Sequence, residues 1–321
     1  MRALYVDHGL RFEKDYSIPT PPPGEALVRV LQAGICNTDL ELVKGYLNFK
    51  GVPGHEFVGM VEKAAKREDL IGQRVAGEIN AACGKCETCR AGRPTHCPNR
   101  TTLGINRRDG AFADYLLLPF ENLHPLPDPV SNDQAVFVEP LAAACEILEQ
   151  IKIHPTDRVV VIGDGKLGLL CAQVIALTGC WLSVLGRHSD KLQILNERHI
   201  HTTIDINEFA PASIDIVVEA TGTPSGFETA RKIVRPRGTI VLKSTYNSDL
   251  NVSLSLVVVD EVSLIGSRCG PFEPAIRLLA NRQVEVDRLI QARYSLNEGL
   301  QAFERAATKG TMKVIVEMTN E

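Results

Sequence analysis

Residues 157–179 read DRVVVIGDGKLGLLCAQVIALTG, and the hydrophobic period changes half-way along them. Arg158 to Ile162 is a continuous β-branched run of the kind a buried parallel strand needs, whereas Lys166 to Thr178 carries apolar residues at helical spacing. Between them lies Gly163-Asp-Gly165-Lys166-Leu167-Gly168. A GxGxxG pattern is weak by itself, because glycine is common. Here it follows a strand and opens a helix, the context that makes it a dinucleotide-binding fingerprint. Gly163 permits the tight turn, Gly165 lets backbone approach a pyrophosphate, and Gly168 lets helix and strand pack closely, with the helix start at Lys166 and Leu167 facing the phosphates. The alternative is an ordinary strand-turn-helix whose glycines serve packing alone.

Composition agrees with a water-soluble chain long enough for two domains: 321 residues, 44% hydrophobic and 23% charged. A net charge of −4 and a pI near 6.1 supply no electrostatic footprint for nucleic acid. The opening MRALYVDHGLRFEKD lacks a basic region followed by an apolar core, so no signal peptide is expected. No apolar run approaches the ~20 residues of a membrane span. Nine cysteines, an odd number and partly clustered, point to thiolate or metal chemistry in a reducing compartment, and a cytoplasmic protein is expected.

Near the start, short β-rich runs (Ala3 to Val6, Ala26 to Gln32) flank a proline-rich turn, Pro19-Thr-Pro-Pro-Pro-Gly24, the signature of an antiparallel β-domain. Within Gly34-Ile-Cys36-Asn-Thr38-Asp39, the cysteine alone would read as a small buried hydrophobe. Nineteen residues later come His55 and Glu56, adjacent polar residues in an apolar, glycine-bounded segment where an unpaired charge would be costly. Imidazole and thiolate suit zinc, a carboxylate can complete the set, and three protein ligands leave a position open for substrate. A core histidine bonded to a carboxylate explains the same residues equally well.

Cys83, Cys86, Cys89 and Cys97 place four thiols in fifteen residues, among glycine and proline, so that one loop can fold around a tetrahedral ion. This predicts a structural zinc lobe over 83–97, with an iron–sulfur cluster the chief competitor.

Cys36, His55-Glu56, the four-cysteine lobe and the GxGxxG turn together resemble, in order and approximate spacing, the medium-chain zinc dehydrogenases, and the resemblance covers essentially the whole chain. It implies a β-rich GroES-like catalytic domain joined to a doubly wound α/β Rossmann cofactor domain. It also implies that Cys36 and His55 bind a catalytic zinc, that Thr38 bonds the substrate oxygen, and that Asp39 orients His55 from behind. Val138-Glu139-Pro140-Leu141 is similar to the segment that supplies the third ligand in the polyol and threonine branches. Glu139 is therefore the candidate, directly or through a water, with Glu56 a second carboxylate within reach. Glu139 also suits the first turn of a helix, ahead of Pro140. Many relatives carry a proton-relaying histidine five residues beyond the zinc cysteine, where this chain has Glu41.

Beyond the glycine turn, Trp181 to Leu185, Ile214 to Ala220, Gly238 to Leu242 and Ser263 to Ile265 read as further parallel strands. Thr221, Ser244, Ser267 and Arg268 follow strand ends, where such sheets bind ligands. After Gly270 the pattern becomes helix (272–281), strand (289–294), helix (296–307) and strand (312–318). By resemblance this tail returns to the first domain, giving a catalytic domain of 1–138 and 270–321 around an inserted dinucleotide-binding domain of 139–269. Ile35, Tyr46, Phe49 and Leu103 are candidates for lining the substrate pocket.

An NAD enzyme is expected to end its second strand with an Asp or Glu that binds both ribose hydroxyls. This strand ends instead in Gly186, followed by Arg187 and His188. A small residue leaves room for a 2′-phosphate and Arg187 can bond it, so NADP(H) is favoured over NAD(H), although Asp190 offers a route back to the ribose. The resemblance implies an oxidoreductase acting on a small alcohol or carbonyl substrate, with two zinc ions per chain, assembled as a homodimer or homotetramer. The alternative is a zinc-stabilised dinucleotide-binding protein with a sensor or scaffold role.

Overall fold

Arg158–Ile162 forms the interior of a six-stranded, all-parallel sheet in the computed structural model, which describes residues 1–246 and 252–318. The sheet order is His201–Thr203, Trp181–Leu185, Arg158–Ile162, Ile214–Glu219, Val234–Leu242, Ser263–Gly266. Numbered along the sheet's own chain segment this is 3-2-1-4-5-6, the doubly wound order, whose direction reverses beside Arg158–Ile162. All but the first residue of that strand is buried, as a strand covered on both faces requires. The strand His201–Thr203 went unrecognised in the sequence: three residues are too few for a hydrophobic alternation to show. Val234–Leu242 begins four residues ahead of the expected Gly238, because the pairing with Ile214–Glu219 continues across a register irregularity.

A second, seven-stranded sheet gathers chain from both ends of the sequence. Glu25–Gly34 lies at its centre, antiparallel to Glu56–Lys63, Tyr115–Pro119 and the C-terminal strand Lys313–Glu317. Ile290–Ser295 pairs parallel with Lys313–Glu317, the helix Gly299–Ala307 supplying the crossover that a parallel pair needs. The last stretch of the expected helix 296–307 is therefore helical, but its first turn, Leu296–Glu298, is 3-10. By contacts the chain divides into two compact units, Met1–Glu139 with Phe272–Glu321, and Pro140–Pro271. Among the described residues no helix is long and apolar enough to cross a membrane.

One buried ion pair ties the two chain segments of the first unit together. Lys313, 1% exposed, opens the C-terminal strand and its ammonium reaches Glu56, 2% exposed, on the strand Glu56–Lys63. Gly34 pairs with Glu56 across the sheet, and a Cβ there would lie 2.8 Å from Glu56 Oε2 and 3.0 Å from Lys313 Cδ, so glycine makes the room. Removing one partner strands a charge in protein of low polarity. Lys313→Ala is expected to destabilise this unit by about 3–5 kcal/mol, and Lys313→Met combined with Glu56→Gln to recover most of the loss. Urea unfolding followed by circular dichroism measures both.

Candidate functional site

Strand register brings the first cluster together. Gly34 and Glu56 are cross-strand partners, so Cys36, two residues beyond one strand, and His55, just before the other, emerge side by side. Cys36 is the N-cap of the helix Asn37–Val43. Asp39, fully buried, accepts hydrogen bonds from the Cys36 amide (2.8 Å) and the Gly54 amide (3.1 Å), binding the two segments to each other. Its Oδ1 also lies 3.3 Å from His55 Nδ1, without hydrogen-bond alignment, and Nδ1 has no other partner among the described residues. A ring nitrogen aimed at a buried carboxylate is how a metal-bound histidine is usually steered.

Cys36, His55 and Glu56 offer ligand atoms within 4.8 Å of one another, and the mix of thiolate, imidazole and carboxylate fits zinc. One oxygen of Glu56 is already engaged by Lys313, a partner that sequence reasoning missed because nothing local marks a lysine 257 residues away. Burial acts against a charged His55 ring, but the Asp39 carboxylate and then Cys36 outweigh it and raise its pKa. Glu139 stands in the first turn of the helix Val138–Gln150, outside that compact set. Although it keeps partial exposure, its surroundings are dense, and burial is the main cause that raises its pKa to about 7; the His55 charge opposes the shift and Glu56 adds to it.

Thr38 Oγ1 sits 3.8 Å from Cys36 Sγ. Glu41, in the relay position, is ion-paired with Lys44 at 2.9 Å on the helix surface. Three of the four expected pocket residues are packed inside: Ile35 and Leu103 are out of contact with solvent, and Phe49 joins a cluster with Val6 and Leu42. Tyr46 alone is exposed. Hydrophobic type marked these residues, but type does not separate a pocket wall from a core.

The structure gathers the four thiols of the cysteine lobe. Cys86 Sγ lies 3.4 Å from Cys89 Sγ and 3.7 Å from Cys97 Sγ, with Cys97 to Cys83 at 3.5 Å. These separations are far too long for disulfides and close to the ~3.8 Å between thiolates bound at ~2.3 Å in a tetrahedron. Backbone amides of Lys85 and Cys86 pull the Cys83 thiol down to about 6, whereas desolvation and the neighbouring sulfurs push Cys89 up to about 12.

The dinucleotide fingerprint lies on the other unit. Gly163 has φ +123°, which only glycine adopts readily, and a Cβ on Gly168 would fall 2.2 Å from the Gly163 carbonyl oxygen. Nothing lies within 4 Å of a Cβ placed on Gly165, so the approach to the helix start at Lys166 and Leu167 is open. That arrangement fits a pyrophosphate. Thr221 Oγ1 donates to Glu219, which is fully buried and also receives the Thr221 amide (2.7 Å) and the Tyr246 hydroxyl (2.5 Å). The buried Lys243 ammonium donates to Ser267 Oγ (3.0 Å) and the Arg268 carbonyl (2.8 Å), while Ser244 packs against Gly222. Glu219 and Lys243 thus fix the residues expected to wall the cofactor.

The expected space at Gly186 is not there. A Cβ on Gly186 would lie 2.9 Å from both Cβ and Oδ2 of Asp164, the second residue of the fingerprint. Asp164 Oδ2 accepts from the Arg187 amide (2.6 Å) and the His188 amide (2.7 Å) and lies 2.9 Å from His188 Nδ1. Gly186 makes room for a carboxylate of this chain. Arg187 reaches Ser225 Oγ at 3.2 Å.

A family model described as alcohol dehydrogenase GroES-like domain matches residues 22–128, and one described as glucose dehydrogenase C-terminus matches residues 132–318, more than half of the chain. The chain belongs to the zinc-dependent medium-chain alcohol dehydrogenases. Within that family it falls in the polyol dehydrogenase-like branch. It is 30% identical to the erythritol/L-threitol dehydrogenase of Mycolicibacterium smegmatis over 96% of this chain and 94% of that protein. Its fold matches a zinc-binding dehydrogenase of Sinorhizobium meliloti bound to NADP (29% identity, TM-score 0.88, 98% of each chain). It likewise matches an Escherichia coli CFT073 alcohol dehydrogenase complexed with NADH (25% identity, TM-score 0.90, 99% of each chain).

Burial alone would raise the pKa of Asp164, but the hydrogen bonds from Arg187 and His188 outweigh it and hold the carboxyl below its ordinary value. A depressed carboxyl stabilises the folded state in full above its unfolded pKa of ~3.9, and that contribution is lost as pH falls through the lower, folded value. Acid unfolding of Asp164→Asn, followed by the fluorescence of Trp181 in the same unit, is therefore expected to show a shallower pH dependence below about pH 4 than the native chain.

Proposed function

We propose that this protein is a zinc-dependent dehydrogenase of small polyol-type alcohols, moving a hydride between the carbinol carbon and NAD(P). The observation that carries the reading is the convergence of Cys36, His55 and Glu56 ligand atoms, backed by Asp39, in a chain whose second unit holds a preformed dinucleotide turn. In this reading residues 1–138 and 270–321 form the catalytic domain and residues 139–269 bind the cofactor. The sequence relationship to a dehydrogenase named for erythritol and L-threitol supports a polyol as substrate. No feature of the site favours a sensor without turnover.

When bound, zinc supplies Lewis-acid polarisation of the alcohol oxygen and the nicotinamide accepts the hydride. Cys36 and His55 hold the catalytic metal from adjoining strand ends. Asp39 fixes the backbone of both segments, which keeps the thiolate and imidazole in one geometry without rearrangement. Glu139 completes the ligand set directly or through a water, and Glu56 tunes the charge beside it while balanced by Lys313. Thr38 bonds the substrate hydroxyl and takes its proton at Oγ1. That proton passes from Thr38 to water as the threonine releases its own, while the Glu41 carboxylate is paired with Lys44. Cys83, Cys86, Cys89 and Cys97 hold a second, structural zinc.

NADP(H) is the preferred cofactor, supported by Arg187, whose guanidinium stands just past the strand end. Gly186 itself offers no room for a phosphate, because Asp164 fills that space. A homodimer or homotetramer is supported by the exposed Leu254, Leu256, Val258 and Val259 on the helix Leu254–Val259, which precedes the sheet's edge strand Ser263–Gly266.

Metal analysis of pure, active protein is expected to find two zinc ions per chain; Cys36→Ala or His55→Ala should lose turnover on a polyol panel yet keep about one zinc and a cooperative melt, whereas Cys89→Ala should lose the other zinc and melt earlier. One zinc in the fully active native enzyme overturns the two-site reading. Arg187→Ala is expected to cut the NADP:NAD ratio of kcat/KM by roughly ten- to a hundredfold, in line with a charge-assisted bond of about 1.5–3 kcal/mol. A native enzyme that prefers NAD, with a ratio this substitution leaves alone, refutes the NADP assignment.

A further inference from the structure

We infer that Asp164 is a cofactor-discriminating residue, supplying from within the glycine turn the ribose-facing carboxylate that the end of the second strand lacks. The inference rests on the reading of this unit as an NAD(P) site and limits its preference for the phosphorylated form.

Three observations carry it. First, position. Arg158–Ile162 and Trp181–Leu185 are neighbouring parallel strands in register, Ile162 beside Leu185, so the turns that follow them lie side by side. Asp164, in one turn, fills the volume that a side chain at Gly186, in the other, would occupy. Rossmann domains for NAD place an acid at that strand end, where it accepts hydrogen bonds from the adenosine ribose. Asp164 brings a carboxylate to that strand end from a different residue.

Second, valence. Asp164 Oδ2 is taken by two amides and the His188 ring, all from the Gly186-Arg187-His188 turn, whereas Oδ1 has no partner among the described residues. A carboxylate oxygen prefers two or more partners, and a ribose hydroxyl is a donor of suitable size and charge. Third, charge. The bonds to Oδ2 favour the ionised form, so Asp164 presents a negative group near the 2′ position. A 2′-phosphate there meets repulsion, and a 2′-hydroxyl meets an acceptor. The amides of Arg187 and His188 are also consumed, which removes two backbone donors that would otherwise serve a phosphate.

Asp164 and Arg187 therefore oppose one another across one subsite. The arginine draws the 2′-phosphate, the aspartate holds it back, and the chain retains measurable affinity for both cofactors. Asp164 acts on discrimination, without a part in the hydride step.

The test is direct binding of NADPH and NADH to the zinc-loaded protein by calorimetry, in the native chain, Asp164→Asn and Asp164→Ser, with thermal melts to confirm folding. Asparagine keeps the shape and removes the charge; serine removes both the charge and the bridge to Gly186-Arg187-His188. Both variants are expected to raise the ratio of NADPH to NADH affinity by about tenfold or more, by tightening NADPH and loosening NADH. A ratio within twofold of the native value in folded variants overturns the inference. Equal weakening of both cofactors overturns it as well, because that is the result for a residue that only shapes the turn. The native ratio is a separate measurement: it decides whether NADP(H) is preferred, whereas the shift on substitution decides the role of Asp164.

Discussion

The buried pair of Lys313 and Glu56 is the constraint on which the first unit and its candidate metal cluster depend. A lone charge in so dry a place would cost several kcal/mol, so each holds the other in position. Glu56 begins a strand whose register with Gly34 sets Cys36 beside His55, and Lys313 begins the strand that pairs back onto Glu25–Gly34. The pair therefore joins residues 257 apart in the chain at the point where the ligands meet. Gly34 allows the approach because any side chain would collide with both partners.

The same logic governs the dinucleotide side. Asp164, Glu219 and Lys243 are charged residues at or near the carboxyl ends of parallel strands, each 9% exposed or less, and each is held by amides, hydroxyls or a carbonyl. Such hydrogen bonds offset the cost of burying the charges and hold the turns in place before a ligand arrives. Gly163, Gly168 and Gly186 are glycines for three different reasons: a positive φ, a helix pressed against a carbonyl, and a neighbour's carboxylate in the way.

The two candidate metal-binding clusters are built differently along the chain. Four thiols of the lobe lie in a single loop, a set suited to a closed structural site. The other cluster takes its members from separate strand ends and includes a carboxylate already shared with a lysine, which suits a centre whose coordination must leave room for substrate. Asp39 links its members through two backbone amides, so the positions of Cys36 and Gly54 are set by one side chain.

Sequence by itself determined what is local. The strand-turn-helix at 157–179 was legible because a change of hydrophobic period and three glycines fall within one short stretch, and the cysteine lobe because its four ligands share one loop. Cys36, His55 and Glu56 were legible as metal-binding candidates from residue type, and the resemblance sharpened them. Tertiary structure alone decided which distant side chains share a volume. It placed Lys313 on Glu56, turned Asp164 into the space at Gly186, bound Ser267 to Lys243, and packed Ile35 and Leu103 into the interior. The physical reason is that these contacts follow from strand register and from which strand ends are neighbours. Periodicity reports which face of an element is buried, but it carries no information about which atoms lie opposite.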